Sequence, residues 1–499
     1  MEIVLTSREA LDLDRDTTLL YGIPDLLLME NAAERIFQAI KNKYSPSQIH
    51  FLAGRGNNGG DALAIARKFF QNNISIRIYL FTDSQDNLSP LSILQTEILQ
   101  KLNIPLFLIG NERDYQSQKE QILKAPFLID GLLGIGLHSP LKGLLKTVVE
   151  DINADYQGEI LAIDVPSGLS GNFDFFEPVL KASATFTVET PKINMLDYPG
   201  KSFCGEIISV PIGFPAPLLI KNRHVFKVEE KDLILPERKR DSHKGAYGKT
   251  LILSGSKNYP GAALLASGAA LKSGTGLLYY YGEVCQEILI KYPEIILLDK
   301  IENLDLFDSI LAGPGWGEGN ETLLKKLLSD FSHSLILDAD ALNLISRNPK
   351  LLKNRKNTLL TPHLKEFSRL TGKDTDWIKK NKLQALSDFA VNYPDVSVLL
   401  KDSVSILKDG SSFYYLEWGS DALARGGSGD LLAGLCSGFA AQLPLKESVF
   451  LSSFLNGKTA DLLAELKKSP SVHPSVILEN YQLAWNELEK IKCRKINQE

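Results

Sequence analysis

A chain of 499 residues, 44% hydrophobic and 23% charged, is too long for one ordinary domain and predicts two or three soluble globular domains, which excludes a disordered chain. Its 55 basic against 60 acidic residues leave a formal charge of −5, so the chain has no overall electrostatic footprint for nucleic acid or an anionic membrane, and any phosphate binding must be local. Four scattered cysteines, Cys204, Cys285, Cys436 and Cys493, suggest neither a zinc site nor a disulfide framework, and with no signal-like start or membrane-length apolar run a cytoplasmic location is expected.

In chain order, residues 7–39 carry helical periodicity broken by the turn Tyr21-Gly22-Ile23-Pro24, which predicts two helices with Asp16 and Asn31 as caps or surface groups. Residues 48–53 (QIHFLA) read as a buried strand. The glycine-rich loop Gly54 to Asp61 follows, and then a helix through ALAIARKFF. Strand, loop and helix in that order place a ligand at a helix N-terminus beyond the carboxyl edge of a parallel sheet. The spacing of GRGNNG fits GxGxxG, a weak signal alone; the amide oxygens of Asn57 and Asn58 are neutral ligands suited to a monovalent cation. Strands at 75–81, 106–109 and 126–130, with a helix at 90–101, continue the alternation expected of a sheet covered on both faces. Asp130 and Asp164 each close a strand and lead into a glycine-containing turn. The two would converge on one crevice, unless each is simply an independent helix cap.

Together these segments resemble the YjeF N-terminal domain, the NAD(P)H-hydrate epimerase fold, over residues 1–222. The resemblance implies a Rossmann-like parallel-sheet sandwich in which Asn57, Asn58, Gly59, Gly60 and Asp61, with Gly134, Ile135, Gly136, Leu137, His138, Ser139 and Pro140, contact the hydrated nucleotide. It puts Asp164 at the reacting ring as the candidate acid or base, and Asn58, Asp130 and Ser167 around a potassium ion. Ala62 stands where the family often has glycine, a change a helix tolerates. Lys192 also resembles a family position, but is read here as an ordinary solvated lysine.

Residues 213–243 are rich in proline and charge and form the expected linker, with the boundary near Arg223 and a second domain over 223–499; VFKVEEKDLIL is a candidate strand and turn of that domain. Arg238-Lys239-Arg240 reads as a solvated face. KTLIL is then a strand, residues 261–273 a small-residue helix able to pack closely on the sheet, and the alternation runs on through LLYYY, SILAGPG, SLILDAD, TLLTPH and VSVLLK. Near the end, Gly426, Gly427, Ser428 and Gly429 precede Asp430 where a loop becomes a helix. Unpaired N–H groups and the helix dipole make that junction an anion site, and Asp430 there could take a proton from a substrate hydroxyl attacking phosphorus.

The motifs KGAYGKTLILSGS, YPGA, GPGWG, LDADALN and TPHLKE, in that order before GGSGD, closely resemble the ribokinase-like ADP/ATP-dependent NAD(P)H-hydrate dehydratase domain. By that resemblance Ala262, Gly317, His363 and Asp430 contact the hydrated nucleotide, while Lys401, Asp402, Ser403, Val404, Ser405 and Gly429 form the adenine-nucleotide site. Asp402 departs from the family's frequent KG pattern and adds a negative charge there.

The chain is thus expected to be two tandem α/β domains, epimerising R and S hydrates of NAD(P)H and dehydrating the S form with ADP or ATP. Phosphorylating the ring hydroxyl turns a poor leaving group into phosphate, with Mg²⁺ offsetting the charge. A small-alcohol or vitamin-precursor kinase and a non-catalytic nucleotide-sensing scaffold are the alternatives. Expected partners are the hydrates, adenine nucleotide and further copies of the chain as a homo-oligomer, with no nucleic acid and no membrane.

Overall fold

The computed structural model describes residues 1–171 and 175–496, with the Cys493 side chain outside what is described. The chain divides into two compact units, Ile3–Arg223 and His224–Glu499, the second of which also takes in Met1–Glu2.

In the first unit two helices, Ser7–Tyr21 and Asp25–Tyr44, form around the predicted turn. Thr6 and Glu9 make a reciprocal capping box at the first, and Gly22 ends it in the left-handed conformation at φ 67°. Asn31 is neither cap nor solvated group, since its Nδ2 donates to the Ile212 carbonyl. Seven strands make one parallel sheet, running across from Leu106–Leu108 through Ser75–Leu80, Gln48–Ala53, Phe127–Gly131, Glu159–Ile163 and Ala184–Val188 to Glu206–Val210. The order reverses between Gln48–Ala53 and Phe127–Gly131, so the loops leaving those strands part and open a crevice. Ile49, Phe51 and Leu52 are fully buried, as an apolar run covered on both faces requires.

The loop Gly54 to Asp61 is shorter than expected because the helix already begins at Asn57. Gly59 and Gly60 therefore lie inside its first turn. A Cβ on Gly59 would sit 1.8 Å from the Gly54 carbonyl oxygen, and one on Gly60 2.7 Å from the Met29 methyl. These two glycines are set by close packing, which a reading of spacing cannot separate from ligand approach.

In the second unit a parallel core of strands Leu277–Tyr281, Lys249–Leu253, Ser309–Ala312, Ser334–Leu337, Thr358–Leu360 and Val396–Leu400 is extended by two antiparallel strands, Ser405–Asp409 and Ser412–Leu416. The small-residue helix Pro260–Lys272 packs chiefly on the helix Ser428–Ala440. Gly434 makes the approach possible, since a Cβ there would lie 2.3 Å from the Ala266 carbonyl. Residues 213–243 are no plain linker. They include the helix Ala216–Ile220 and the strand Val225–Lys227, anchored by buried Leu218, Val228 and Leu233.

Candidate functional sites

At the carboxyl edge of the first sheet lies a 440 Å³ cavity. Asn57, Asn58, Asp61, Gly134, Ile135, Gly136, Leu137 and Asp164 line it, so three separate strand ends converge as expected. His138, Ser139 and Pro140 are not in its wall, and Gly59 and Gly60 lie behind it in the helix packing. Asp14, from the first helix, enters the wall without having been anticipated.

Asp164 sits at φ 64°, a conformation costly for most residues and tolerated by aspartate. Its carboxylate is ion-paired with Lys192 and accepts the Val188 N–H at 3.1 Å. Lys192 is only 2% exposed, contrary to the solvated role expected of it. Its ammonium is held by Thr187 Oγ1 at 3.0 Å and by the carbonyls of Val188 at 2.9 Å and Thr190 at 3.1 Å. A lysine can be buried this way because every proton finds an acceptor and the charge finds a carboxylate.

Beside the cavity Asp130 is wholly buried, and burial pushes its carboxyl up to about 6 despite hydrogen bonds from Ser167 that pull it down. Ser167 donates its N–H at 2.7 Å and its hydroxyl at 2.5 Å to that carboxylate. The Asn58 Nδ2 donates to the Leu133 carbonyl at 2.9 Å, while its Oδ1 is buried with no hydrogen-bond partner. An orphaned amide oxygen from a helix's first turn, a buried carboxylate from a strand end and a hydroxyl from a neighbouring loop are the hard donor set a monovalent cation accepts.

The second sheet's edge carries a 1290 Å³ cavity whose wall includes Ala262, Gly317 and Asp430, three residues from distant parts of the chain. Gly427 takes φ 99° as the cap of the helix Ser428–Ala440, which places Gly429 and Asp430 in its first turn. Burial, then the neighbouring Asp338, push the Asp430 carboxyl up to about 6, with Lys401 working against them. Lys401 donates to Asp338 at 2.7 Å, and Thr361 donates to the same carboxylate oxygen at 2.8 Å. A Cβ on Gly429 would lie 3.3 Å from the Lys401 ammonium. The glycine thus leaves room for a cation directly over the first turn.

The side chains of Lys401 and the residues it was grouped with have different surroundings. Its charge faces Asp338 and Asp430, whereas Asp402 pairs with buried Lys382 at 2.6 Å, Val404 is buried and Ser405 opens a strand. Asp402 therefore adds no uncompensated charge. His363 is not in the cavity wall. It caps the helix Leu364–Thr371, its Nδ1 accepting the N–H of Lys365 at 3.1 Å and of Glu366 at 3.2 Å, and burial lowers its pKa. Asp338 and Asp340 went unassigned although they lie in the quoted LDADALN stretch. Asp340 accepts the Gly317 N–H at 2.9 Å and also holds Asn343, which Arg369 reaches at 2.6 Å. Two acidic residues at a strand end were the available signal.

Residues 26–194 match the family described as YjeF-related protein N-terminus, and residues 250–483 match that of NAD(P)H-hydrate dehydratase. A bifunctional NAD(P)H-hydrate repair enzyme of Thermofilum pendens is 32% identical over 94% of this chain and 93% of its own. Another, from Moorella thermoacetica, is 30% identical over 98% and 97%. Among solved structures, an ADP/ATP-dependent NAD(P)H-hydrate dehydratase of Bacillus subtilis, co-crystallised with ATP and Mg²⁺, is 27% identical with a TM-score of 0.47, covering 54% of this chain and 99% of that one.

Proposed function

The chain belongs to the bifunctional NAD(P)H-hydrate repair enzymes, joining an epimerase domain to a dehydratase domain, and we propose that its two cavities divide those activities between Asp164 and Asp430. The assignment of the dehydratase centre rests on one juxtaposition: Asp430 in the first turn of a helix, beside a glycine and the Lys401 ammonium, at the wall of a 1290 Å³ cavity. There Asp430 takes the proton of the ring hydroxyl, the N–H groups of the first turn hold the transferring phosphoryl group, and Lys401 offsets its charge. The ring nitrogen's lone pair then expels phosphate, leaving a C=N bond, and loss of a proton from the adjacent ring carbon returns the electrons to nitrogen and gives NADH or NADPH. Ala262 and Gly317 form the floor for the hydrated nucleotide, and Lys401 to Ser405 the approach for ADP or ATP. Among the described residues no three acidic or histidine side chains gather as a metal site. Mg²⁺, which neutralises phosphate charge when bound, would therefore be carried largely by the nucleotide, with few protein ligands.

In the first domain Asn58, Asp130 and Ser167 would hold K⁺, which supplies positive charge toward the phosphates of the hydrate. The orphaned Asn58 oxygen and buried Asp130 fit that ion. Asp164 handles protons at the hydrated ring carbon. The same proposal includes the cytoplasm as location and self-association into a homo-oligomer. Among the described residues no helix is long and apolar enough to cross a membrane.

The test is to give the purified protein mixed hydrate epimers with Mg²⁺ and ADP or ATP, with and without K⁺, and follow absorbance of the reduced ring. Recovery of the whole signal supports both assignments. No recovery with either donor removes the dehydratase assignment.

A further inference from the structure

Epimerising a hydrated carbon by losing and regaining water sets a requirement that one carboxylate does not meet. A proton must be given to the departing hydroxyl on one face of the ring while another is taken from the water entering on the opposite face. Asp164 is already committed to an ion pair with Lys192. The 440 Å³ cavity holds a second carboxyl on a different element: Asp14, projecting from the helix Ser7–Tyr21, while Asp164 closes the strand Glu159–Ile163.

Resting on the epimerase reading of this cavity, we propose that Asp14 is the second catalytic group of the epimerase, the general acid opposite the base Asp164. The Asp14 proton passes to the ring hydroxyl, the C–O bond breaks and water leaves, and the ring nitrogen's lone pair forms a C=N bond to the same carbon. Water then adds from the other face, the C=N electrons return to nitrogen, and the water's extra proton goes to Asp164. One proton has crossed from Asp14 to Asp164, and the reverse reaction or exchange with solvent returns it.

The surroundings favour this division of roles. Asp14 is a solvent-exposed residue on the cavity wall, yet the protein around its carboxyl, then the charge of Asp164, push it up to about 6, with Asp25 adding to the rise and Lys192 opposing it. Asp61, from the helix Asn57–Gln71, also faces both Asp14 and Asp164, and its own carboxyl is pushed well up by burial. Two carboxyls whose settings differ, one ion-paired with a lysine and one on the open cavity wall, are how a site obtains an acid and a base from the same side chain. The sequence offered no hint of it, because Asp14 lies in a helix of mixed polarity that reads as surface.

The experiment uses the full-length protein. Interconversion of separated R and S hydrates is followed without nucleotide donor across pH 5 to 8, and epimerisation in H₂¹⁸O is checked for label in the ring hydroxyl. Wild type should incorporate the label and slow above an apparent pKa near 6, as Asp14 loses its proton. Asp14→Asn should slow exchange by about 10²-fold or more and erase that pH limb, with the domain's melting temperature held, and Asp14→Glu should restore part of the rate. If Asp14→Asn does not fold, the limb in Asp14→Glu decides: displaced, it supports the role, and unmoved, it overturns it. Exchange within threefold of wild type in Asp14→Asn, with the limb intact, overturns the inference while leaving the epimerase reading standing. Epimerisation without label would also overturn it, and a wild type that exchanges nothing removes the reading and the inference together.

Discussion

The two domains each place an aspartate on the wall of a cavity at the edge of a parallel sheet, but they hold it by different means. Asp164 occupies a left-handed turn and is clamped by Lys192, an ammonium with four oxygen partners. Asp430 sits in a helix's first turn, and the nearby Lys401 is bonded to Asp338 instead. The lysine of the first site is therefore a fixed part of its carboxylate, while that of the second is bonded to another aspartate and lies over the helix's first turn. The difference suits the chemistry: proton traffic at a ring carbon needs a fixed pair, and phosphoryl transfer needs a cation beside a cradle of N–H groups.

The largest effects should come from the aspartates. Asp430→Asn should lower dehydration of the S hydrate by at least about 10³-fold and leave epimer exchange untouched; Asp164→Asn should do the reverse, as chromatography of the hydrates and absorbance of the reduced ring can report. Loss of both activities in either variant would collapse the comparison into a single site.

The lysines sharpen it. Lys192→Met leaves a buried carboxylate unpaired and should destabilise the first domain by roughly 3–5 kcal/mol, visible in denaturant melts. Lys401→Met should instead act on turnover, lowering dehydration by about 10²-fold, because the N–H cradle remains. Glycines come next. Gly434→Ala, with its Cβ 2.3 Å from the Ala266 carbonyl, should destabilise the second domain by about 2 kcal/mol or more, as other overpacked sites do, whereas Gly429→Ala meets the movable end of Lys401 at 3.3 Å and the Asp338 carboxylate at 3.8 Å and should cost activity less than about tenfold.

The smallest effect concerns acidity. Asp430 must be ionised to accept a proton, so dehydration should rise with pH through about 6 and level off above it. The sign for stability is opposite. With the folded carboxyl raised from 3.8 to about 6, the folded state binds more protons than the unfolded between those values, and this site's contribution falls as pH rises through that window. Asp430→Asn should accordingly melt a few degrees higher than wild type at pH 7, and no lower at pH 4.

Much of this architecture is legible in the residues. The alternation of apolar strands with helices announces two parallel sheets, and strand-end aspartates announce where the crevices lie. The structure gathers Asn57, Asn58, Asp61, Gly134 and Asp164 around one cavity and Ala262, Gly317 and Asp430 around another. What spacing could not convey was side-chain direction over long separations. Lys192 looks like any charged residue until its ammonium is seen buried against Asp164, 28 positions away. Lys401 likewise reaches back 63 positions to Asp338, a partner that its neighbours in sequence do not announce. His363 shows the converse: a strand-end histidine in a quoted motif whose ring caps its own helix. Gly59 and Gly60 belong to helix packing, a demand that resembles ligand approach when only the letters are visible.

The most direct test of two independent centres is complementation in trans, with mixed R and S hydrates, donor and Mg²⁺ in one cuvette. Asp164→Asn alone should restore about half of the reduced-ring absorbance and Asp430→Asn alone none, whereas the two variants together should restore all of it, since each supplies the carboxylate the other lacks. A mixture that stops where Asp164→Asn stops would contradict the assignment of separate epimerase and dehydratase centres to these residues.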